Sequence, residues 1–308
     1  MNLLLVKVRK MTMKVLLIII LSLVFGCNNR LASKVDVSPK HFKVQTPFIL
    51  DRRGVILNTY WGKSREHHVL CLDNYSPSWI KTSAVQYNQS FTKSKDLRFK
   101  TLTADGSPVQ GEVAVCDSLF FEHIVFSQVP FYVMPDNGGA DKTSDGVLGL
   151  DAMAKGIWKI DFKKEELTFV SDLDSLTNLN ETEIFPANFT GQSIEVNVDF
   201  GERIVKTMAI DLGYNGDLLL PLAEFQRIGK SSKVFNQLSK FSTPASRSLV
   251  NQYAILDTVN INHNWFATII SSHETVKERL IGLLFFRRFS YVIFDFVNNR
   301  VYIPKKVW

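Results

Sequence analysis

Cysteine is scarce in this chain, 3 residues in 308, with no Cys-x-x-Cys and no zinc-type spacing. A disulfide-dense scaffold and a structural zinc fold are therefore excluded. Histidine numbers only 6, and none falls in a His-Glu-x-x-His pattern. Gly-x-Ser-x-Gly is also missing, as is a cysteine with a plausible histidine partner, which removes zinc, serine and cysteine hydrolases. No long helical periodicity is found, and no run of basic residues interleaved with aromatics. That last absence matters because the chain carries 36 Lys+Arg against 30 Asp+Glu, with a pI of about 9.1. Four of the basic residues, Lys7, Arg9, Lys10 and Lys14, lie in the first 26 residues, which hold no acid. Without that segment the balance is 32 − 30 = +2, so nucleic acid is not an expected partner.

What is present begins with a leader. A basic start, the short apolar run from Val15 to Phe25 and the small residue Gly26 have the form of a secretory signal rather than a membrane span. Val24-Phe25-Gly26-Cys27 resembles a bacterial lipobox, in which the cysteine receives lipid and becomes the new N terminus. Cys27 is thus the expected lipidation site. The protein is expected in the bacterial cell envelope, on the periplasmic side or the outer-membrane surface. Residues 27–42 are polar and aperiodic, as a tether would be. Export permits disulfides, but Cys71 lies two residues before Asp73 on an expected strand. Cys71 and Cys116 are therefore read as buried free thiols.

Short runs of Val, Ile, Phe and Tyr separated by Gly, Asn or Asp turns predict a mostly β body. Strands are expected at 54–62 and 66–72, and a hairpin at 97–103 and 109–115 around Ala104-Asp105-Gly106-Ser107-Pro108. His67 and His68, adjacent on a strand, point to opposite faces and do not make a metal pair. The glycine-rich acidic loop 136–145 lacks EF-hand spacing. The polar stretch 171–191 reads as a linker between lobes at 43–170 and 192–308. A helix is expected at 222–228, ended by Gly229, with Phe225 and Ile228 toward the core.

The body also repeats itself. Val69-Leu70-Cys71-Leu72-Asp73 and Met208-Ala209-Ile210-Asp211 each deliver one carboxylate from an apolar run to a turn. Asp73 is followed by Val147-Leu148-Gly149 and Asp211 by Leu280-Ile281-Gly282, at separations of 149 − 73 = 76 and 282 − 211 = 71 residues. Each glycine then leads to an Asp-Phe pair, Asp161-Phe162 after 12 residues and Asp295-Phe296 after 13. Shared order at nearly constant spacing marks an internal duplication.

These residues together resemble the two lobes of the pepsin/retropepsin-like aspartic peptidases, bacterial lipoproteins of that kind in particular, over about residues 43 to 308. The resemblance implies two similar lobes of acid-protease fold facing each other across a cleft, with the hairpin 97–115 as a flap over it. It implies a catalytic dyad of Asp73 and Asp211, supported by Asn74, Ser76 and Gly213. It implies a peptide or unfolded protein as substrate, no metal or cofactor, and a monomer. The family pattern around each aspartate is Asp-Thr/Ser-Gly, whereas this chain reads Asp73-Asn74-Tyr75 and Asp211-Leu212-Gly213. Asn74 keeps the capacity to bond across the lobes and Leu212 does not, while Tyr75 puts a ring where glycine permits close approach. Two readings stay open: an aspartic endopeptidase, and a catalytically inactive peptidase-fold protein that binds a peptide or partner in the cleft. A glycan-binding β-rich lipoprotein is a third, supported only by scattered Trp and Tyr.

Overall fold

A computed structural model describes residues 35–51, 54–86, 88–102, 108–136, 144–177, 179–229, 233–242 and 247–305. Cys27 and the leader lie outside the described residues, as do 103–107 at the tip of the expected flap and 137–143 of the acidic loop.

The two Asp-Phe segments set the symmetry. Asp161 Oδ1 accepts the Lys164 N–H at 3.0 Å and Asp295 Oδ1 accepts the Asn298 N–H at 2.9 Å. Four residues after each aspartate the backbone turns left-handed, at Glu165 (φ 51°) and Asn299 (φ 54°). Identical side-chain-to-backbone turns thus close two hairpins, Ile157–Asp161 with Glu166–Val170 and Tyr291–Asp295 with Arg300–Pro304. The first strands of the two hairpins then pair antiparallel, Ile157 with Asp295 and Asp161 with Tyr291. That register is two-fold symmetric. A six-stranded sheet joins the halves, and one continuous core runs through it, with Trp158, Phe169 and Phe294 fully buried.

Each half adds a large sheet of the same topology. In the first, Gly146–Leu148 runs parallel to Glu66–Leu72 and antiparallel to Trp79–Lys81. In the second, Leu280–Gly282 stands in the same relation to Val205–Asp211 and to Leu218–Leu219. The loop that follows each aspartate crosses over the glycine of the matching apolar-apolar-Gly. A Cβ on Gly149 would lie 2.3 Å from Ser76 O, and one on Gly282 would lie 2.3 Å from Gly216 O. No other residue permits that crossing. Leu150 N–H then donates to Ser76 O and Leu283 N–H to Tyr214 O, both at 2.8 Å.

The hairpin arms Phe91–Leu102 and Pro108–Phe121 pair as expected, down to Leu102 opposite Pro108. Phe99 stacks on Tyr132 at 4.2 Å and holds the hairpin against its lobe. Leu222–Ile228 is helical, with Phe225 buried and Ile228 packed on the core. Cys71 and Cys116 are both buried and not joined by a disulfide, in separate clusters on opposite faces of their sheet. His67 is exposed and contacts Asn58, whereas His68 is buried, stacked 3.6 Å from Trp61 and bonded to Asp145.

The expected tether ends earlier than 42. Asp36–Ser38 is a strand on the first lobe's sheet, and Val35, Val37 and Phe42 are buried in the core. A three-residue strand is too short to show periodicity, which is why composition read it as polar chain. Within 171–191, the strand Thr182–Phe185 pairs with Arg300–Pro304, so this polar stretch adds an edge to the joining sheet.

Candidate active site

Both aspartates sit where an apolar strand runs into its crossing loop. Asp73 follows Glu66–Leu72 and its N–H donates to Leu148 O at 3.2 Å, while Asp211 closes Val205–Asp211. The duplication brings these carboxyls, 211 − 73 = 138 positions apart, together beside Gly213, where a Cβ would lie 2.4 Å from Asp73 Oδ2 and 3.1 Å from Asp211 Oδ1. Backbone donors surround them. Asp211 Oδ1 accepts Gly213 N–H at 2.8 Å and Tyr214 N–H at 3.0 Å, and Asp73 Oδ1 accepts Tyr75 N–H at 2.9 Å. Gly213 has no space for a side chain, since a Cβ there would lie 2.4 Å from Asp73 Oδ2. It is the glycine that close approach demands.

Burial dominates the electrostatics. Desolvation raises the pKa of Asp73, against donors from Tyr75, Asp211, Gly213 and Ser76 that lower it. Desolvation raises Asp211 further still, and the neighbouring charge of Asp73 adds to the rise. Two carboxyls in contact cannot both ionise cheaply, so the pair retains one proton well above the ordinary carboxylate range. Asp211 is 8% exposed and Asp73 half-buried as whole residues, and desolvation is the largest influence on both carboxyls.

Asn74 does the work expected of two hydroxyls. Fully buried, it donates from Nδ2 to Ile210 O at 2.9 Å, and its Oδ1 accepts Leu212 N–H at 3.0 Å. One amide therefore grips the opposite lobe on both sides of Asp211. Leu212 is freed from bonding and packs into the core. Tyr75 does not stand between the carboxyls. It packs, together with Tyr214, on the cluster of Ala209, Leu219, Val276 and Leu280, and its hydroxyl donates to Glu278 Oε2 at 3.2 Å. Ser76 supports Asp73 through its backbone N–H, and its hydroxyl turns to Pro77 O at 2.9 Å. The hydroxyl support expected from the resemblance is thus replaced by a main-chain donor, because the crossing loop aims that side chain away.

Sequence reasoning passed over Asp151. Its Oδ1 accepts Ser78 Oγ–H at 2.6 Å, Ser78 N–H at 3.1 Å and Ala152 N–H at 3.0 Å, while Ser78 Oγ accepts Gly149 N–H at 2.9 Å. This staple fixes the loop that carries Asp73 to the glycine it crosses. The available signal was an acid two residues after Gly149, where the second copy has Leu284. Burial pushes the Asp151 carboxyl up to about 6 despite those donors. Because the folded state holds that proton more tightly than the unfolded chain does, stability falls as pH rises from the ordinary 3.8 through about 6. Asp151→Asn cannot titrate and should flatten that decline, worth about 3 kcal/mol at 1.36 kcal/mol per pH unit between 3.8 and about 6. Chemical denaturation of both proteins between pH 3 and 7 checks this, and parallel curves would refute it.

In the second lobe the matching loop is held differently. Asp217 accepts Ile269 N–H at 3.0 Å and pairs with Arg288 at 3.2 Å. Among the described residues, no group of three or more His, Cys, Asp or Glu is placed to hold a metal ion, and no helix is long and apolar enough to cross a membrane.

No protein-family model and no curated protein sequence matches this chain. Solved structures do. An aspartic proteinase from Irpex lacteus superposes with a TM-score of 0.60 at 12% identity, covering 85% of this chain and 97% of that one. Conglutin gamma, a basic 7S globulin from lupine seeds, superposes with a TM-score of 0.57 at 12% identity, over 87% of this chain and 96% of its own. With the dyad lying where the two lobes meet, the chain has the mostly β, two-lobed fold of the pepsin-like aspartic proteinases.

Proposed function

We propose that the protein is an aspartic endopeptidase of the cell envelope, anchored to the membrane through lipid on Cys27, working as a monomer on peptides or unfolded protein. The observation that carries the reading is the convergence of Asp73 and Asp211, one from each lobe, beside Gly213, with Asn74 gripping the backbone on both sides of Asp211 and main-chain donors on each carboxyl. The ionised member takes a proton from a water as that water attacks the peptide carbonyl, and the protonated member donates to the carbonyl oxygen. The roles belong to the pair. Neither step calls for a metal or a cofactor, and nucleic acid has no place in this chemistry.

The test is digestion of an unfolded protein across pH. A bell-shaped profile with an acidic optimum is expected, with cleavage lost in both Asp73→Asn and Asp211→Asn; cleavage retained in both variants removes the mechanism. A second reading, a cleft that binds peptide without cutting it, is favoured by one observation, the Tyr75 ring resting on the cleft face beside Asp211. Under that reading the intact protein binds peptide and releases no product at any pH. The anchor is tested separately: Cys27→Ser should abolish incorporation of radiolabelled fatty acid and shift the protein from the membrane fraction to the soluble one.

A further inference from the structure

Tyr75 departs most from the Asp-Thr/Ser-Gly pattern, and its surroundings give it a task. It belongs to the first lobe, yet it packs on the second, sharing with Tyr214 the cluster of Ala209, Leu219, Val276 and Leu280. Three of these form a surface. Ala209 pairs with Leu280 and Leu280 with Leu219, in one rung that continues to Ser271. The rung faces away from the main core, where the alternate residues Ile210, Ile281 and Leu218 are packed. Ala209 stands two residues before Asp211, so this apolar face begins beside the carboxyl, and the Asp211 charge is felt at the phenol. The tyrosine is held at both ends, its N–H on Asp73 Oδ1 at 2.9 Å and its hydroxyl on Glu278 Oε2 at 3.2 Å. Burial and the Glu278 carboxylate keep the phenol protonated far above neutral pH, so the outer bond persists wherever the dyad works.

We infer that Tyr75 is a specificity-determining plug: its ring fills the apolar space beside Asp211 that would otherwise receive a substrate side chain flanking the scissile bond. The cleft therefore takes a small residue, Gly, Ala or Ser, against the second lobe. The inference deepens the peptidase reading and rests on the cleft it describes. Tyr214 keeps its place on the same cluster, its hydroxyl toward Ser271 at the end of the rung, and the part of the rung that the Tyr75 ring gives up beside Ala209 is a site for a branched aliphatic side chain, where filling or emptying space is worth about 10- to 200-fold in preference.

The experiment uses two hydroxyethylene peptide isosteres, identical except for methyl or isobutyl on a residue flanking the hydroxyl, made for each flank in turn. Their dissociation constants are measured by calorimetry on the wild type, Tyr75→Gly, Tyr75→Ala and Tyr75→Phe, alongside the residues flanking cleavage in a digested unfolded protein. On one flank the wild type should bind methyl at least about tenfold more tightly than isobutyl. Tyr75→Phe should keep that preference, because the ring rather than the hydroxyl occupies the space, and Tyr75→Gly should reverse it. Tyr75→Ala opens the same space without glycine's backbone freedom, so it decides the matter if Tyr75→Gly fails to fold. A wild type without preference on either flank, a preference unchanged in the opened variants, or no binding to any protein overturns the plug. Selective binding with no hydrolysis at any pH would sink the peptidase reading and leave the plug standing, whereas hydrolysis without selectivity would do the reverse.

Discussion

Asp211→Asn is expected to lose peptide hydrolysis and at the same time to melt at a higher temperature than the wild type at neutral pH. The two effects have one origin. Burial and the charge of Asp73 hold the Asp211 carboxyl well above its ordinary 3.8, so the folded protein keeps a proton that the unfolded chain releases. Stability changes with pH in proportion to protons bound unfolded minus folded, and that difference is negative in this window. The stabilising contribution is complete below pH 3.8 and is lost as pH climbs toward the folded-state value. An asparagine escapes the loss. Its carbonyl oxygen accepts Gly213 and Tyr214 N–H as Oδ1 does now, and its amide donates to Asp73 in place of the shared proton. The gain in melting temperature should be near zero at pH 3 and grow toward pH 7, at roughly 2–4 °C per kcal/mol for a chain of this size. Activity should fall by at least about a hundredfold to ten-thousandfold, the range that general acid–base groups supply. Calorimetric melts at three pH values, with the digestion assay beside them, make the check. A gain independent of pH would mean the dyad does not hold its proton as described.

Removing Asn74 should produce the largest loss of stability of any single change at the cleft. The side chain is fully buried, and both its bonds reach the other lobe. Asn74→Leu, which keeps the volume, orphans Ile210 C=O and Leu212 N–H together. A buried polar group left without its partner costs about 1–3 kcal/mol, so a total of about 2–6 kcal/mol is expected. The same bonds set the separation of the aspartates, and a displacement near 1 Å is worth about a hundredfold in rate. Asn74→Asp keeps the acceptor for Leu212 N–H but turns an anion toward Ile210 O, so it should be no better than leucine. Asn74→Thr restores one hydroxyl and should recover part of both losses. Urea unfolding and steady-state rates test this together. An Asn74→Leu protein within 1 kcal/mol of wild type and of normal rate would show that the lobes are registered by other contacts.

Much of this arrangement was readable from residue order, and the reason is duplication. The strand-Asp, apolar-apolar-Gly and Asp-Phe segments are local patterns with mechanical causes: a run that must be buried, a glycine over which a loop crosses, a carboxylate that closes a turn. Two copies of each imply two lobes, and the TM-scores of 0.60 and 0.57 to known two-lobed folds agree. Residues 36–38 escaped because three residues carry no period, and Asp151 escaped because its partner Ser78 is 73 positions away.

The linear chain by itself determined which residues are paired acids, where the glycines stand, and that the body is β, since burial period and turn chemistry are local. Only the tertiary structure decided how the altered motif still joins the two lobes. Whether Asn74 reaches one backbone group or two, where the Tyr75 ring goes, and which hydroxyl turns away depend on how two surfaces meet. Those directions are fixed by packing between lobes, where every buried donor must find an acceptor and no two atoms share a place.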